Sequence, residues 1–181
     1  SPATRCGVTG LLPTFGRVSR HGAMALSWSM DKIGPICRSV EDCAIVLAAI
    51  QGPDGQDRTV KDVPFNWDAS VKPASLRVAY LQPVYTEQNQ AVKPLDDAAF
   101  EVIRTLGIKP TLVELPTQYP VGAIGTVLSA EAAAAFDDIT RDKRVNLMER
   151  STWPTTFRTY QLMPAVDYIQ ANRIRTLLMQ G

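Results

Sequence analysis

The sequence predicts an α/β protein in which helices flank a largely parallel or mixed sheet. Short apolar runs of the kind that form strands occur at residues 7–12, where we expect a buried strand, and at residues 76–81 and 111–115. Other, longer segments have an apolar residue every three or four positions, which is the period of an amphipathic helix. One of them lies directly between two strand-like runs, an order typical of a crossover connection within one sheet. These observations together define the predicted fold class.

The segment after Ser39 carries the clearest helix signals. Ser39 and Asp42 have the spacing of a capping box, in which a serine oxygen accepts a hydrogen bond from an otherwise unpaired N–H of the first turn. Four apolar residues follow at the spacing of one helical face: Cys43, Val46, Leu47 and Ile50. The helix is expected to run to Ile50 and to stop by Gly52.

The rest of the chain is predicted as one α/β region over residues 1–181, with a connecting loop at residues 52–74. A strand, a helix between Pro94 and Gly107, and a second strand then form the crossover unit. Two further helices are predicted at residues 121–138 and 165–179. Residues 16–35 have no sustained period, so we expect an ordered loop there, where functional side chains gather.

Composition restricts the classes of function. The 181 residues include 19 basic and 18 acidic residues, a formal net charge of +1. This balance provides no long-range field toward a phosphate backbone or an anionic membrane, so no nucleic acid and no membrane partner is predicted. No apolar run approaches the roughly 20 residues that span a bilayer.

The cysteines and the histidine show no pattern of a metal or redox site. Cys6, Cys37 and Cys43 lack the two-residue spacing of a zinc knuckle and cannot all pair with one another. They predict free thiols, no metal, and a reducing cytoplasm. His21 is the single histidine, and its glycine-flanked loop favours a structural or exposed side chain over a catalytic base.

Several sequence blocks, in this order, resemble one family of enzymes. Residues 1–20 read SPATRCGVTGLLPTFGRVSR, residues 29–35 read SMDKIGP, and residues 38–42 read RSVED. Later blocks are SAEAAAAFD at residues 129–137 and YIQANRIR at residues 168–175. Together they resemble the amidase signature hydrolases, and the likeness is densest over residues 1 to 52. The resemblance implies an amidase signature-type mixed sheet flanked by helices, incomplete in this chain and part of a larger amidase domain.

The resemblance also implies a mechanism. In that family a lysine takes a proton through a bridging serine, a second serine attacks the amide carbonyl, and water releases the acid from an acyl-enzyme. A stretch of type Gly-Gly-Ser-Ile-Arg precedes the segment that matches Ser1-Pro2-Ala3, so the whole triad is expected upstream of residue 1. The chain would then hold no catalytic residue and be inactive alone, without metal or organic cofactor. Arg5 departs from the family, which usually has an aromatic residue there.

In family terms the loop at residues 26–31 lies near the acyl-binding side of the site. Ser27 and Trp28 are therefore candidates for substrate binding, although packing of the Trp28 indole is an equal alternative. Asp31, ahead of Gly34 and Pro35, is expected to fix a turn near the site through backbone hydrogen bonds. The implied partners are a small-molecule amide, the remainder of the same polypeptide, and optionally a second copy of the chain.

Three alternatives stay open at this point. Ser1 would be both nucleophile and base in an N-terminal-nucleophile hydrolase, but Pro2 directly after it restricts the backbone and argues against this. A non-catalytic amidase-like scaffold subunit would lack a triad residue upstream. A glutaminase subunit of a tRNA-dependent amidotransferase would pass ammonia to a partner.

Overall fold

Helices and two small sheets form the described part of the chain, in agreement with the predicted α/β class. The computed structural model describes residues 2–83, 90–114, 117–148 and 151–180. The helices are α1 Pro2–Cys6, α2 Val40–Ile50, α3 Lys93–Thr105, α4 Ala123–Ala135, α5 Asp137–Arg141, α6 Trp153–Tyr160 and α7 Ala165–Gln180. The strands are β1 Thr9–Gly10, β2 Ile36–Cys37, β3 Ala79–Tyr80 and β4 Thr111–Leu112. None of the described helices has the length and apolar character needed to cross a bilayer.

The chain folds as two compact units. One comprises Ser1–Asn66 and Tyr119–Gly181, and the other comprises Trp67–Gln118. The first unit contains the loop at residues 16–35, where the sequence predicts that functional side chains gather.

The first sheet is smaller than the sequence predicts. Strands β1 and β2 are antiparallel, with Thr9 opposite Cys37 and Gly10 opposite Ile36. The prediction of a buried strand over residues 7–12 is wrong in length and burial, because only two residues pair and Gly10 is exposed. Residues 2–6 form a helix, α1, that the sequence analysis did not predict.

Helix α2 begins and ends as predicted. The Ser39 side chain accepts a hydrogen bond from the backbone N–H of Asp42, 3.0 Å from nitrogen to oxygen, and the helix ends at Ile50. Cys43 and Leu47 are buried, but Val46 and Ile50 are exposed. The predicted apolar face is therefore only half covered in this chain.

The second unit is the predicted crossover. Strands β3 and β4 are parallel, with Ala79 opposite Thr111 and Tyr80 opposite Leu112, and α3 connects them. Gly107 follows α3 with a φ of +79°, the left-handed conformation in which glycine is favoured at a helix C-terminus. Both strands are shorter than predicted, and residue 115 lies outside the described residues.

The C-terminal helices enclose a buried apolar cluster with stacked aromatic rings. The single helix predicted over residues 121–138 is two helices, α4 and α5, separated at Phe136. Ala132, Val145 and Phe157 form a buried cluster, and the rings of Phe136 and Phe157 stack at 4.6 Å between centroids. Leu26 packs against the same cluster, so the loop at residues 16–35 is joined to the helical core.

Candidate functional site

Several long-range hydrogen bonds hold the loop at residues 16–35 in place. At its start, the Arg17 guanidinium donates to the carbonyl oxygen of Val63 at 2.7 Å, and the Lys61 N–H donates to the carbonyl oxygen of Gly16 at 2.9 Å. A Cβ atom at Gly16 would lie 2.6 Å from the Thr59 carbonyl oxygen, a distance that side chains essentially never tolerate. The first part of the loop thus lies against residues 59–63.

Arg20 makes the densest set of contacts in this loop. Its Nε donates to Asp57 Oδ2 at 3.0 Å, and its other nitrogens donate to Trp28 O and to Thr59 Oγ1. Its guanidinium also lies 4.5 Å from the centre of the Phe15 ring, within the range of a cation–π contact. Hydrogen bonds from Thr59, followed by those from Arg20, hold the pKa of the Asp57 carboxyl well below its ordinary value.

Asp31 organises the middle of the loop. Its Oδ2 accepts hydrogen bonds from the backbone N–H groups of Leu26, at 2.8 Å, and Ser27, at 2.9 Å. The Asp31 N–H in turn donates to the Ser27 carbonyl oxygen at 2.7 Å. One carboxylate therefore closes the turn over residues 26–31 through backbone groups.

A second carboxylate, from α4, binds the same stretch. Glu131 is only 1% exposed, and its Oε2 accepts hydrogen bonds from Ser27 Oγ at 2.5 Å and from the Ser29 N–H at 3.1 Å. Arg175, on α7, donates to Ser29 Oγ at 2.6 Å. Ser27 and Ser29 flank Trp28, so the tryptophan backbone is fixed on both sides. We call the group Ser27, Ser29, Glu131 and Arg175 the loop clasp.

An open cleft of about 430 Å³ lies beside the clasp. It is lined by loop residues that include Trp28, Asp31 and Lys32, and by residues 56–58. Trp28 is 47% exposed and lines this cleft, whereas the Ser27 side chain is fully buried and donates to Glu131. The two candidate binding residues thus differ: Trp28 lines the cleft, and Ser27 joins the loop to α4.

Gly34 and Pro35 lie at the far end of the loop, where it meets the first sheet. A Cβ atom on Gly34 would lie 2.1 Å from the Leu11 carbonyl oxygen, so only glycine fits this approach. Pro35 is buried, and its carbonyl oxygen accepts a hydrogen bond from the Leu11 N–H at 3.0 Å. These two residues secure the end of the loop and do not line the cleft.

The remaining reactive side chains do not form a catalytic cluster in the described ranges. His21 is exposed at the cleft edge. Partial burial raises the pKa of the Cys37 thiol, and the neighbouring Cys43 adds to the effect, so both disfavour the thiolate form. Among residues 2–83, 90–114, 117–148 and 151–180, no group of three His, Cys, Asp or Glu side chains could hold a metal ion.

Sequence reasoning did not assign a role to Glu131 or Arg175, nor to the pair Arg20 and Asp57. The signal for the first two was present, because they belong to the blocks at residues 129–137 and 168–175. The structure joins these two late blocks to the SMDKIGP block through the loop clasp. Three separate motifs therefore meet at one place.

Comparison with known proteins identifies the class. The family described as Amidase matches residues 1–172. The chain therefore belongs to the amidase family, as its motifs indicate.

Particular relatives differ in what they do. The chain is 34% identical to a glutamyl-tRNA(Gln) amidotransferase subunit from Geobacter sulfurreducens, over 99% of this chain and 42% of that protein. It is similar, with a TM-score of 0.76 and 30% identity, to an inhibitor-bound vestigial complex that reveals the origins of an s-triazine catabolic enzyme; the match covers 96% of this chain and 38% of the other. A peptide amidase in complex with the competitive inhibitor chymostatin matches with a TM-score of 0.66 and 26% identity, over 90% of this chain and 39% of that one. The chain thus spans less than half the length of each of these proteins.

Proposed function

We propose that the protein to which this chain contributes hydrolyses a carboxylic amide to an acid and ammonia or an amine. The observation that carries the proposal is the match to the Amidase family over residues 1–172. Relatives that include a peptide amidase and an amidotransferase support C–N bond chemistry as the common activity.

The mechanism we propose is acyl transfer through a Ser-Ser-Lys triad located in the segment that the family resemblance places before Ser1. A serine hydroxyl has too high a pKa to attack an amide unaided, so an adjacent base must remove its proton as the acyl-enzyme forms. Water then releases the acid. The chemistry needs no metal or organic cofactor, so dialysis against a chelator should leave the rate unchanged.

The role of the described chain in this reaction is to form one wall of the substrate site. The loop clasp and Asp31 fix residues 26–31 from two sides, and a rigid wall lowers the entropic cost of holding a substrate for attack. Trp28 presents a large apolar surface to the cleft. A cleft of about 430 Å³ is within the size range of small-molecule sites.

The test compares a longer polypeptide, which carries the triad segment ahead of this sequence, with the present chain alone. We expect the longer protein to release ammonia from primary amides and the present chain to release none. Added hydroxylamine should yield a hydroxamate, because it competes with water for the acyl-enzyme. A longer protein that carries both serines and the lysine yet hydrolyses no amide would favour the non-catalytic scaffold instead.

A second candidate is a glutaminase subunit that transfers ammonia to a partner. The 34% identity to an amidotransferase subunit over nearly the whole chain favours it. Since that relative is one component of a larger enzyme and another relative is described as a complex, both also support assembly with a second chain. Ammonia release from glutamine that rises when a partner protein is added would support this candidate, whereas equal rates on simple amides would support the first.

The cellular location that we propose is the cytoplasm. Its support is the three free cysteines, Cys6, Cys37 and Cys43, since reduced thiols persist in that compartment. Fractionation of cells that produce the full protein tests this assignment.

A further inference from the structure

The charged side chains that line the cleft differ in whether they have partners. The lining includes three permanent cations, Arg20, Lys32 and Arg58, and two carboxylates, Asp31 and Asp57. His21 lines the same cleft. The contacts of these groups decide which charge the cleft offers to a ligand.

Both carboxylates accept hydrogen bonds from within the protein. Asp57 accepts hydrogen bonds from Thr59 on Oδ1, at 2.6 and 2.9 Å, and from Arg20 on Oδ2, at 3.0 and 3.1 Å. Asp31 Oδ2 accepts two backbone N–H groups of the loop. Arg20, the partner of Asp57, is itself engaged by Trp28 and Thr59. Arg20 and Asp57 therefore pair with each other, while Asp31 is held by backbone groups and keeps its charge, so the three cations and two carboxylates of the lining leave a formal charge of +1.

Lys32 and Arg58, by contrast, make no such contacts in the described part of the chain. Both are exposed, and across the described ranges neither has a side-chain hydrogen bond or an ion pair with another residue. They belong to different segments, the loop and the turn at residues 56–58, which line the same cleft. The cleft is thus lined by two cations without a partner among the described residues, together with the apolar face of Trp28.

We propose that Lys32 and Arg58 bind a carboxylate of the substrate, so that the preferred substrate is an amide that also carries an anionic group. A guanidinium donates two parallel hydrogen bonds to a carboxylate, and an ammonium adds a point charge. Trp28 contacts the short carbon chain between the carboxylate and the amide. This inference rests on the proposed amide hydrolysis and names the substrate class for it.

The experiment uses the longer, active polypeptide and a matched pair of substrates. Succinamate carries a carboxylate, and butyramide has nearly the same shape with a methyl group in its place. We expect a lower KM for succinamate than for butyramide in the unchanged protein. Arg58→Gln and Lys32→Gln should each raise the KM for succinamate by about 10- to 100-fold, the range of a lost charge-assisted hydrogen bond, and leave butyramide unchanged.

Lys61→Gln is the control, because Lys61 is exposed and does not line the cleft. It removes the same charge from the same unit and should leave both KM values unaltered. A second readout, calorimetric titration with succinate, does not depend on turnover. Succinate should bind the unchanged protein and Lys61→Gln, and bind Arg58→Gln and Lys32→Gln more weakly.

The outcomes separate this inference from the proposed function. Equal KM values for the two amides, unaltered in all variants, would overturn the carboxylate site and leave amide hydrolysis standing. If neither amide is hydrolysed, the proposed function fails for these substrates. The succinate titration then decides whether the carboxylate site exists. Succinate binding that only Arg58→Gln and Lys32→Gln weaken would support the site, while absent or unaltered binding would overturn it.

Discussion

Ser27 and Glu131 are 104 residues apart in the sequence, yet the Ser27 hydroxyl donates to Glu131 Oε2 at 2.5 Å and both side chains are buried. The same oxygen accepts the Ser29 N–H. A carboxylate on α4 thereby fixes a loop from the beginning of the chain. A buried charge is costly unless its hydrogen bonds are made, so this contact restricts the loop to one arrangement.

Glu131→Ala should destabilise the protein by about 2–4 kcal/mol, because it leaves the buried Ser27 hydroxyl and the partly buried Ser29 N–H without an acceptor. Glu131→Gln keeps a carbonyl oxygen and should cost less. Urea unfolding measures both. Glu41→Gln is the control, since Glu41 is exposed on α2, and a loss for it as large as that for Glu131→Ala would contradict the assignment.

Asp31→Ala should release the turn over residues 26–31. Two backbone N–H groups lose their acceptor, at a cost of about 1–3 kcal/mol. Asp31→Asn retains a side-chain oxygen and should be milder. Hydrogen exchange measured residue by residue checks this: the Leu26 and Ser27 amides should exchange faster in Asp31→Ala, while amides within α2 keep their protection. Unaltered exchange at both loop amides would exclude a turn-fixing role.

Secondary structure was predicted most successfully where the sequence signals are local. Helix α2 followed from the Ser39 cap and the apolar spacing within a few residues, and α3 followed from Pro94 and Gly107. The strands were predicted too long, because the extent of a strand depends on a partner that the local pattern does not reveal. Val46 and Ile50 belong to an apolar helical stripe but remain exposed, which periodicity alone does not disclose.

The candidate site likewise contains local contacts, which the sequence could predict, and long-range contacts, which it could not. Asp31 bonds residues four and five positions away, so its role could be anticipated from the turn sequence. The Ser29 contacts with Glu131 and Arg175 span 102 and 146 residues. No local rule connects such distant positions. Glu131 and Arg175 belong to blocks that resemble the family, but only the fold shows that both bind Ser29.

Asp57 should make stability depend on pH at the acidic end. Its pKa lies below the ordinary value of 3.8 in the folded protein, so the unfolded chain binds a proton at a higher pH. The stabilisation is therefore complete above that ordinary value and is lost as the pH falls below it toward the folded pKa. Thermal unfolding of Asp57→Asn should show a shallower acid decline than the unchanged protein.

Asp62→Asn is the control for this measurement, because Asp62 is exposed and has no hydrogen bond or ion pair among the described residues. Its acid decline should match that of the unchanged protein. An Asp57→Asn profile with the same slope as the other two would show that the Arg20 and Thr59 contacts contribute nothing to acid stability.

Gly34→Ala should destabilise the protein by several kcal/mol, at the upper end of single-residue effects. Its Cβ would lie 2.1 Å from the Leu11 carbonyl oxygen and 2.5 Å from the Pro13 ring, so the backbone at the end of the loop must move.

Gly125→Ala is the matched control: Gly125 lies within α4 with open space around its Cβ position. Alanine there should stabilise by about 0.5–1 kcal/mol, because it reduces the flexibility of the unfolded chain. Unfolding midpoints that fall for Gly34→Ala and rise for Gly125→Ala would establish that the close backbone approach requires glycine at position 34. Equal shifts would instead attribute both effects to the conformational propensity of glycine.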